Sequence, residues 1–158
     1  DYDYAEIATM LQKSEANCRQ IFARARKHVN EHRPRFTPSN EAHEALLGQF
    51  LQACAEGNLT NLTALLSQEA VLVSDGGGVV KAATRPILGA ENIARFFLGL
   101  VKRSGGDYYP RFVSVNGQTG IALYYQDKLI YVMVIYVEVG KIARVYVVAN
   151  PHKLTKIV

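Results

Sequence analysis

The feature that most constrains the fold is an apolar run at residues 129–139. Its side chains alternate between the two faces of a strand: Leu129, Tyr131, Met133 and Ile135 on one face, and Ile130, Val132, Val134 and Tyr136 on the other. A strand that is apolar on both faces lies in the middle of a sheet and is covered twice. The sequence therefore predicts a central strand here, with its sheet built around it.

Turn signals on either side of this strand predict an antiparallel meander. Asn116-Gly117 is the strongest hairpin signal in the chain, and Gln126-Asp127 and Gly140-Lys141 are two further turns. We predict strands over residues 108–115, 121–125, 129–139 and 142–149.

Helical periodicity dominates the part of the chain before the meander. We predict helices over residues 41–56, 59–66 and 90–101, short strands over residues 70–74 and 79–84, and a turn over residues 86–89. Helices first and a long antiparallel meander last predict an α+β fold, with the sheet curled around the helices.

The beginning of the chain reads as two helices joined by a tight turn. Residues 4–11 form the first, with Ile7, Ala8 and Leu11 inward, and residues 12–14 form the turn. Ser14 caps the second helix, residues 14–31. Its predicted buried face consists of Cys18, Phe22, Ala25 and Val29. Helix, short turn and second helix is the order of a helix-turn-helix DNA reader.

Positive charge is concentrated in this second helix and just after it. Residues 13–36 hold seven Lys or Arg against two acidic residues, whereas the whole chain has a net charge of +4. Such a concentration is the footprint of phosphate contact, although a solvated basic face is the common alternative. Two prolines in residues 33–40 then mark a linker. We predict a helix-turn-helix at residues 1–32, a linker at 33–40 and a second domain at 41–158.

Three motifs in order resemble those of a known family. The opening residues 1–36, with Arg24-Ala25-Arg26, resemble the end of region four in extracytoplasmic-function (ECF) sigma factors. Asp75-Gly76-Gly77-Gly78 and Asn150-Pro151…Lys153-Leu154 match two signatures of the SigJ-type branch, which carries a C-terminal SnoaL-like domain. This sequence departs from that branch at Val79, where the family has Lys, and at His152, where it has Asp.

The resemblance implies an NTF2/SnoaL-like cone for the second domain and a role in transcription. Promoter DNA and core RNA polymerase are the partners that it implies, in the cytoplasm. The chain begins inside a helix-turn-helix pattern, so we expect an upstream sigma region to be missing from it. The cone is expected to modulate engagement of polymerase or promoter.

In sigma region four the second helix of the motif lies in the major groove. The residues expected at or near base edges are Ser14, Asn17, Arg19 and Gln20. Those expected on phosphates, which position the protein without specifying sequence, are Lys13, Arg24, Arg26 and Lys27.

The two downstream motifs are the candidate regulatory contacts, and each also has a structural reading. Asp75, Gly76, Gly77 and Gly78 lack phosphate-loop spacing and can simply form a bend, or can touch sigma or polymerase. Asn150, Pro151, Lys153 and Leu154 can simply stop the last strand, or can make an intramolecular or polymerase contact.

Other functional classes have less support in the sequence. A cone of this type can act as an isomerase or bind a small molecule, but the predicted strands offer many tyrosines and few carboxylates to serve as a base. A homodimer through the sheet is a third possibility. The Cys and His spacings form no metal motif, and no cofactor is expected. No apolar run has membrane-spanning length, so no membrane role is expected.

Overall fold

The chain divides into two compact units, Asp1–Arg35 and Phe36–Val158. The computed structural model describes residues 2–31, 40–80, 82–105 and 108–155. The linker predicted at residues 33–40 lies outside these ranges except for its last residue, where a helix begins. None of the described helices is long and apolar enough to cross a membrane.

The first unit contains the predicted pair of helices, α1 (Tyr4–Leu11) and α2 (Glu15–Glu31). Asp3 and Glu6 form a reciprocal capping box at the start of α1, each side chain accepting the other's backbone N–H at 2.8 Å. Gln12 ends α1 in the left-handed region, at a φ of +52°. The bounds predicted for α1 are confirmed, and α2 begins one residue after its predicted start at Ser14.

The buried face predicted for this unit is only partly correct. Ala8 and Cys18 are buried, whereas Leu11 is 56% exposed and Phe22 is 53% exposed. Ile7 is half-buried, Ala25 is exposed, and the side chain of Val29 lies outside the described part. Two packed helices bury only the side chains along their line of contact, so a further element is needed to cover the rest of an apolar face. Within this unit the described residues supply none.

The second unit packs helices against one six-stranded sheet. Its helices are α3 (Asn40–Ala55), α4 (Leu59–Leu65), α5 (Ala90–Ser104) and α6 (Pro151–Leu154). Its strands are β1 (Leu66–Asp75), β2 (Ile87–Leu88), β3 (Tyr108–Val115), β4 (Gln118–Tyr125), β5 (Lys128–Glu138) and β6 (Lys141–Val148). The strand order is β2-β1-β6-β5-β4-β3, and β1 pairs with β6 in parallel while the other pairs are antiparallel.

Two of the three predicted hairpin turns are present as predicted, and the third lies one residue earlier, at Val139 and Gly140 instead of Gly140 and Lys141. Asn116 and Gly117 have φ values of +52° and +78°, the positive pair that a two-residue hairpin loop requires. Gln126 and Asp127 do the same between β4 and β5, at +46° and +60°. These turns set the register that brings β3, β4, β5 and β6 side by side.

The main core lies between the helices and the face of the sheet that we call the inner face, defined by Met133, Ile135 and Val145. Phe50 of α3 and Phe97 of α5 meet edge to face there, with ring centroids 5.0 Å apart. Burial of aromatic and branched side chains from both layers is the main force holding this unit together.

The opposite side of the sheet, the outer face, is defined by Val132, Val148 and Tyr146. Leu154 of α6 covers Val132 and Ala122, but Tyr146 stays exposed. The prediction that the central strand is covered on both faces is therefore only half correct. The reason is that α6 has four residues, enough to shield one part of the outer face.

The strand predicted at residues 79–84 is wrong for the described part of that stretch, from which residue 81 is excluded. The N–H groups of Val79 and Val80 both donate to the carbonyl of Gly76, at 3.1 and 3.2 Å, so the chain turns back at once. The two-residue strand β2 instead occupies part of the predicted turn at 86–89, where Val71 pairs with Leu88.

Candidate nucleic-acid interface and C-terminal contact

The predicted DNA-contacting residues lie at the surface of α2 and of the turn before it, from residue 13 to residue 27. All eight are exposed: Lys13, Ser14, Asn17, Arg19, Gln20, Arg24, Arg26 and Lys27. Ser14 Oγ accepts the backbone N–H of Asn17 at 3.2 Å, so this side chain caps the helix as predicted. Ala16 joins Ser14, Asn17, Arg19 and Gln20 around an open hollow of about 630 Å³.

Helical geometry gives these side chains an order across the surface. At about 100° per residue, Gln20 and Lys27 lie near the middle of the face opposite Cys18, and Arg24 and Arg26 lie towards its two edges. Cys18 marks the buried side of α2, and the cationic side chains elsewhere on the helix are exposed. The expected base and phosphate contacts are not sorted into a centre and two edges, because Lys27 lies beside Gln20 while Arg19 and Asn17 lie about 80° to either side of the middle.

Arg19 is held by two neighbours. Its Nε and Nη2 both donate to Glu15 Oε1, at 3.1 and 2.6 Å, and its guanidinium lies 4.6 Å from the centre of the Tyr4 ring. The hydrogen bonds and the charge of Glu15 raise the pKa of Arg19 above its usual value. Sequence reasoning did not place Glu15 or Tyr4 at the DNA interface, although Glu four residues before Arg is the spacing of a helical ion pair.

Arg24 is also tied to its own helix. Its Nη2 donates to Gln20 Oε1 at 3.2 Å, which leaves the amide nitrogen of Gln20 free to donate elsewhere. The pair links an expected phosphate contact to an expected base contact.

The two downstream motifs meet in space. We call residues 75–78 the glycine loop. The backbone N–H groups of Ala149 and Asn150 both donate to the carbonyl of Asp75, at 2.8 and 3.0 Å. Lys153 Nζ lies 2.6 Å from Asp75 Oδ2. Lys153 first, and then the N–H of Gly77, hold the pKa of Asp75 below its usual value.

Asn150 fixes both parts of this contact. Its Oδ1 accepts the N–H of His152 at 3.1 Å and so caps α6. Its side chain also packs on Gly77, where a Cβ would come within 2.8 Å of Oδ1 and closer still to Cγ and Nδ2. Pro151 begins α6, a position that needs no N–H donor, and Leu154 is buried against the outer face. Of the four glycine-loop residues, Gly78 has open space around it.

Both positions that differ from the family are on the surface. Val79 and His152 are exposed, one directly after the glycine loop and the other on α6. Neither is needed for the contact between Asp75 and Lys153.

The interior of the cone is mainly apolar in the part that the structure describes. Burial raises the pKa of the Cys54 thiol and of Tyr131 to about 12. His43, the one polar side chain that is buried among the described residues, lies 2.9 Å from the carbonyl of Thr119 and links α3 to β4. No described carboxylate is buried beside Tyr131, and the described residues contain no cluster of three or more potential metal ligands.

Comparison with known proteins gives two sigma factors. ECF RNA polymerase sigma factor SigJ of Mycobacterium tuberculosis is 31% identical over 162 residues, which cover 96% of this chain and 52% of SigJ. Probable ECF RNA polymerase sigma factor SigI of the same organism is 26% identical over 152 residues, 96% of this chain and 50% of SigI. The chain thus spans about half the length of the curated relatives it matches. No family model matches it.

Solved structures agree with these sequence matches. The crystal structure of M. tuberculosis SigJ superposes with a TM-score of 0.69 and covers 98% of this chain and 56% of SigJ. An NTF2-like protein from Mesorhizobium loti, 11% identical, has a TM-score of 0.52 over 73% of this chain and 96% of its own, which supports the fold alone. The predicted α+β cone is confirmed. Over almost its whole length, this chain is similar in sequence and in fold to the part of an ECF sigma factor of the SigJ type that ends in a SnoaL-like domain.

Proposed function

We propose that this chain is the promoter-reading end of an ECF sigma factor, joined to a regulatory NTF2-like domain. The observation that carries the proposal is the exposed cationic face of α2, which begins directly after a three-residue turn and a capping Ser14. In this role Arg19, Gln20, Asn17 and Ser14 contact bases or lie near them. Lys13, Arg24, Arg26 and Lys27 contact phosphates.

A selection with the 158-residue chain tests DNA reading. The probe is a pool of random-sequence duplexes, and the expected result is enrichment of a defined sequence. Arg24→Ala/Arg26→Ala removes two exposed cations from α2, and Lys102→Ala/Arg103→Ala removes two exposed cations from α5. The first variant should lose affinity and the second should not. Equal losses would mean that the chain binds DNA through net charge alone.

Core RNA polymerase is the second partner in the proposal, together with an upstream sigma region. We would let this chain replace the matched half of SigJ and measure transcription with core polymerase on a template carrying the selected sequence. The comparison is between the complete chimera and one that stops after Arg35. Initiation by both at different levels supports a sigma factor with a regulatory cone. Failure of both on a template that the chain binds would contradict the sigma assignment.

The glycine loop and α6 form the proposed regulatory surface. Support comes from the way that Asp75, Asn150 and Lys153 hold the two motifs together, with Gly77, Gly78 and Lys153 exposed. If sigma or polymerase binds at this surface, it therefore contacts both motifs at once.

The remaining parts of the proposal follow from the same role. We expect the cone to act in the cytoplasm as a regulator and not as an enzyme, in keeping with its sigma-factor relatives. The exposed part of the outer face, around Val73 and Tyr146, is the surface through which two cones could form a homodimer. Sedimentation of the chain at several concentrations tests that point.

A further inference from the structure

The guanidinium of Arg19 is restrained on an edge and on a face. Glu15 Oε1 accepts from Nε and Nη2 at 3.1 and 2.6 Å, and the Tyr4 ring covers one face with its centre 4.6 Å away. A guanidinium has five N–H donors, so the donors on Nη1 and the second donor on Nη2 remain available. Those are the donors that can contact two acceptors on one guanine edge.

We propose that Glu15 and Tyr4 are positioning residues for Arg19, and that Glu15 raises the sequence selectivity of DNA binding by α2. This inference rests on the proposed function. Arg19 is the residue that touches the base, while Glu15 and Tyr4 act through it. Neither residue was among those that the sequence assigned to the interface.

Two physical effects of Glu15 favour selectivity. First, it holds a flexible side chain in one orientation before DNA arrives, so less rotamer freedom is lost when a correct base is met. Second, its carboxylate is 48% exposed on a face otherwise rich in cations, and it repels phosphates that approach without the correct base. While Arg19 stays paired with Glu15, it is less available to contact backbone phosphates on any sequence.

The chain contains a matched ion pair away from the proposed interface. On α5, Arg95 Nε and Nη2 donate to Glu91 Oε1 at 2.9 and 2.6 Å, with the same four-residue spacing. The exposed fractions are 62% and 63% for Arg95 and Glu91, against 61% and 48% for Arg19 and Glu15. Exposed pairs of this kind contribute little to stability. Glu91→Gln therefore controls for the loss of the pair itself.

The experiment compares the unaltered 158-residue chain with Glu15→Gln and Glu91→Gln. The probes are the duplex that the unaltered chain selects and the unselected random pool, each titrated over a range of salt concentrations. Freeing Arg19 for one more phosphate contact should make the salt slope on the random pool steeper by about 0.9, and tighten that binding about eightfold at 0.1 M salt. The ratio of affinities for the two probes should fall by a similar factor. Glu91→Gln should leave both unchanged.

Two variants of Tyr4 separate positioning from packing. Tyr4→Phe keeps the ring and should keep the affinity ratio, whereas Tyr4→Leu removes the ring face and should lower it. Circular dichroism checks that each variant keeps its helix content.

The possible failures are distinguishable. If Glu15→Gln binds both probes with the ratio and salt slope of the unaltered chain, the role of Glu15 is refuted while DNA reading stands. If the unaltered chain selects no sequence at all, the proposed function is refuted and the role of Glu15 with it. A steeper slope in Glu91→Gln as well would also overturn the inference, because the effect would then follow from charge alone.

Discussion

Substitution of Gly77 by Ala tests the contact between the glycine loop and α6. Gly77 has a φ of +62°, and a Cβ there would collide with the side chain of Asn150. Gly78 has a φ of +70°, and a Cβ there would meet nothing within 4 Å. Both substitutions impose left-handed strain on Ala, but only Gly77→Ala also disturbs Asn150. Gly78→Ala is therefore the matched control.

The expected magnitudes follow from these two contributions. Left-handed Ala costs about 1–2 kcal/mol, partly offset because Ala has less freedom than Gly when unfolded, so Gly78→Ala should lower the free energy of unfolding by about 1 kcal/mol. Asn150 caps α6, and loss of such a cap costs about 1 kcal/mol. Gly77→Ala should therefore lower the free energy of unfolding by about 2 kcal/mol.

Urea unfolding followed by far-ultraviolet circular dichroism and tyrosine fluorescence measures these differences, since the chain has nine Tyr and no Trp. Combining Gly77→Ala with Asn150→Ala gives a double-mutant cycle. Without the Asn150 side chain, the penalty of Gly77→Ala should fall to that of Gly78→Ala. Equal penalties for the two glycines in the unaltered background would refute the contact.

Three further results are expected. Arg24→Ala should weaken binding to all DNA sequences equally and flatten the salt slope by about 0.9, and unequal losses across sequences would contradict a phosphate-contacting role. Because the folded pKa of Asp75 is lowered, the ionised carboxylate stabilises the fold fully above the unfolded pKa of about 3.9, and this stabilisation is lost as pH falls through the lower folded pKa. Lys153→Met should raise the pKa of Asp75, as measured by an NMR titration. Val139 is fully exposed at a φ of +48°, which a β-branched residue tolerates poorly, so Val139→Asn should raise the free energy of unfolding by about 1 kcal/mol in urea unfolding.

Local patterns were sufficient for most elements of the fold. The bounds of α1 and β3 match those predicted, because a cap, a left-handed Gln12 and the Asn116-Gly117 turn act within a few residues of the chain. The capping role of Ser14 could be predicted for the same reason. The error at residues 79–84 arose because apolar Val79 and Val80 resemble a strand, whereas the backbone carbonyl of Gly76 turns them back.

The alternation, the turns and the accumulation of cations on α2 can be predicted from the chain's residues alone, since each is a property of neighbouring residues. The tertiary structure alone decided that Asp75 meets Lys153, 78 positions later, because a parallel pairing of β1 with β6 brings the ends of both strands together. It also decided that Tyr4 stacks on Arg19, because the turn between α1 and α2 folds one helix back on the other. Such contacts depend on how helices and strands pack together. The periodicity within one element does not show which other element it will pack against.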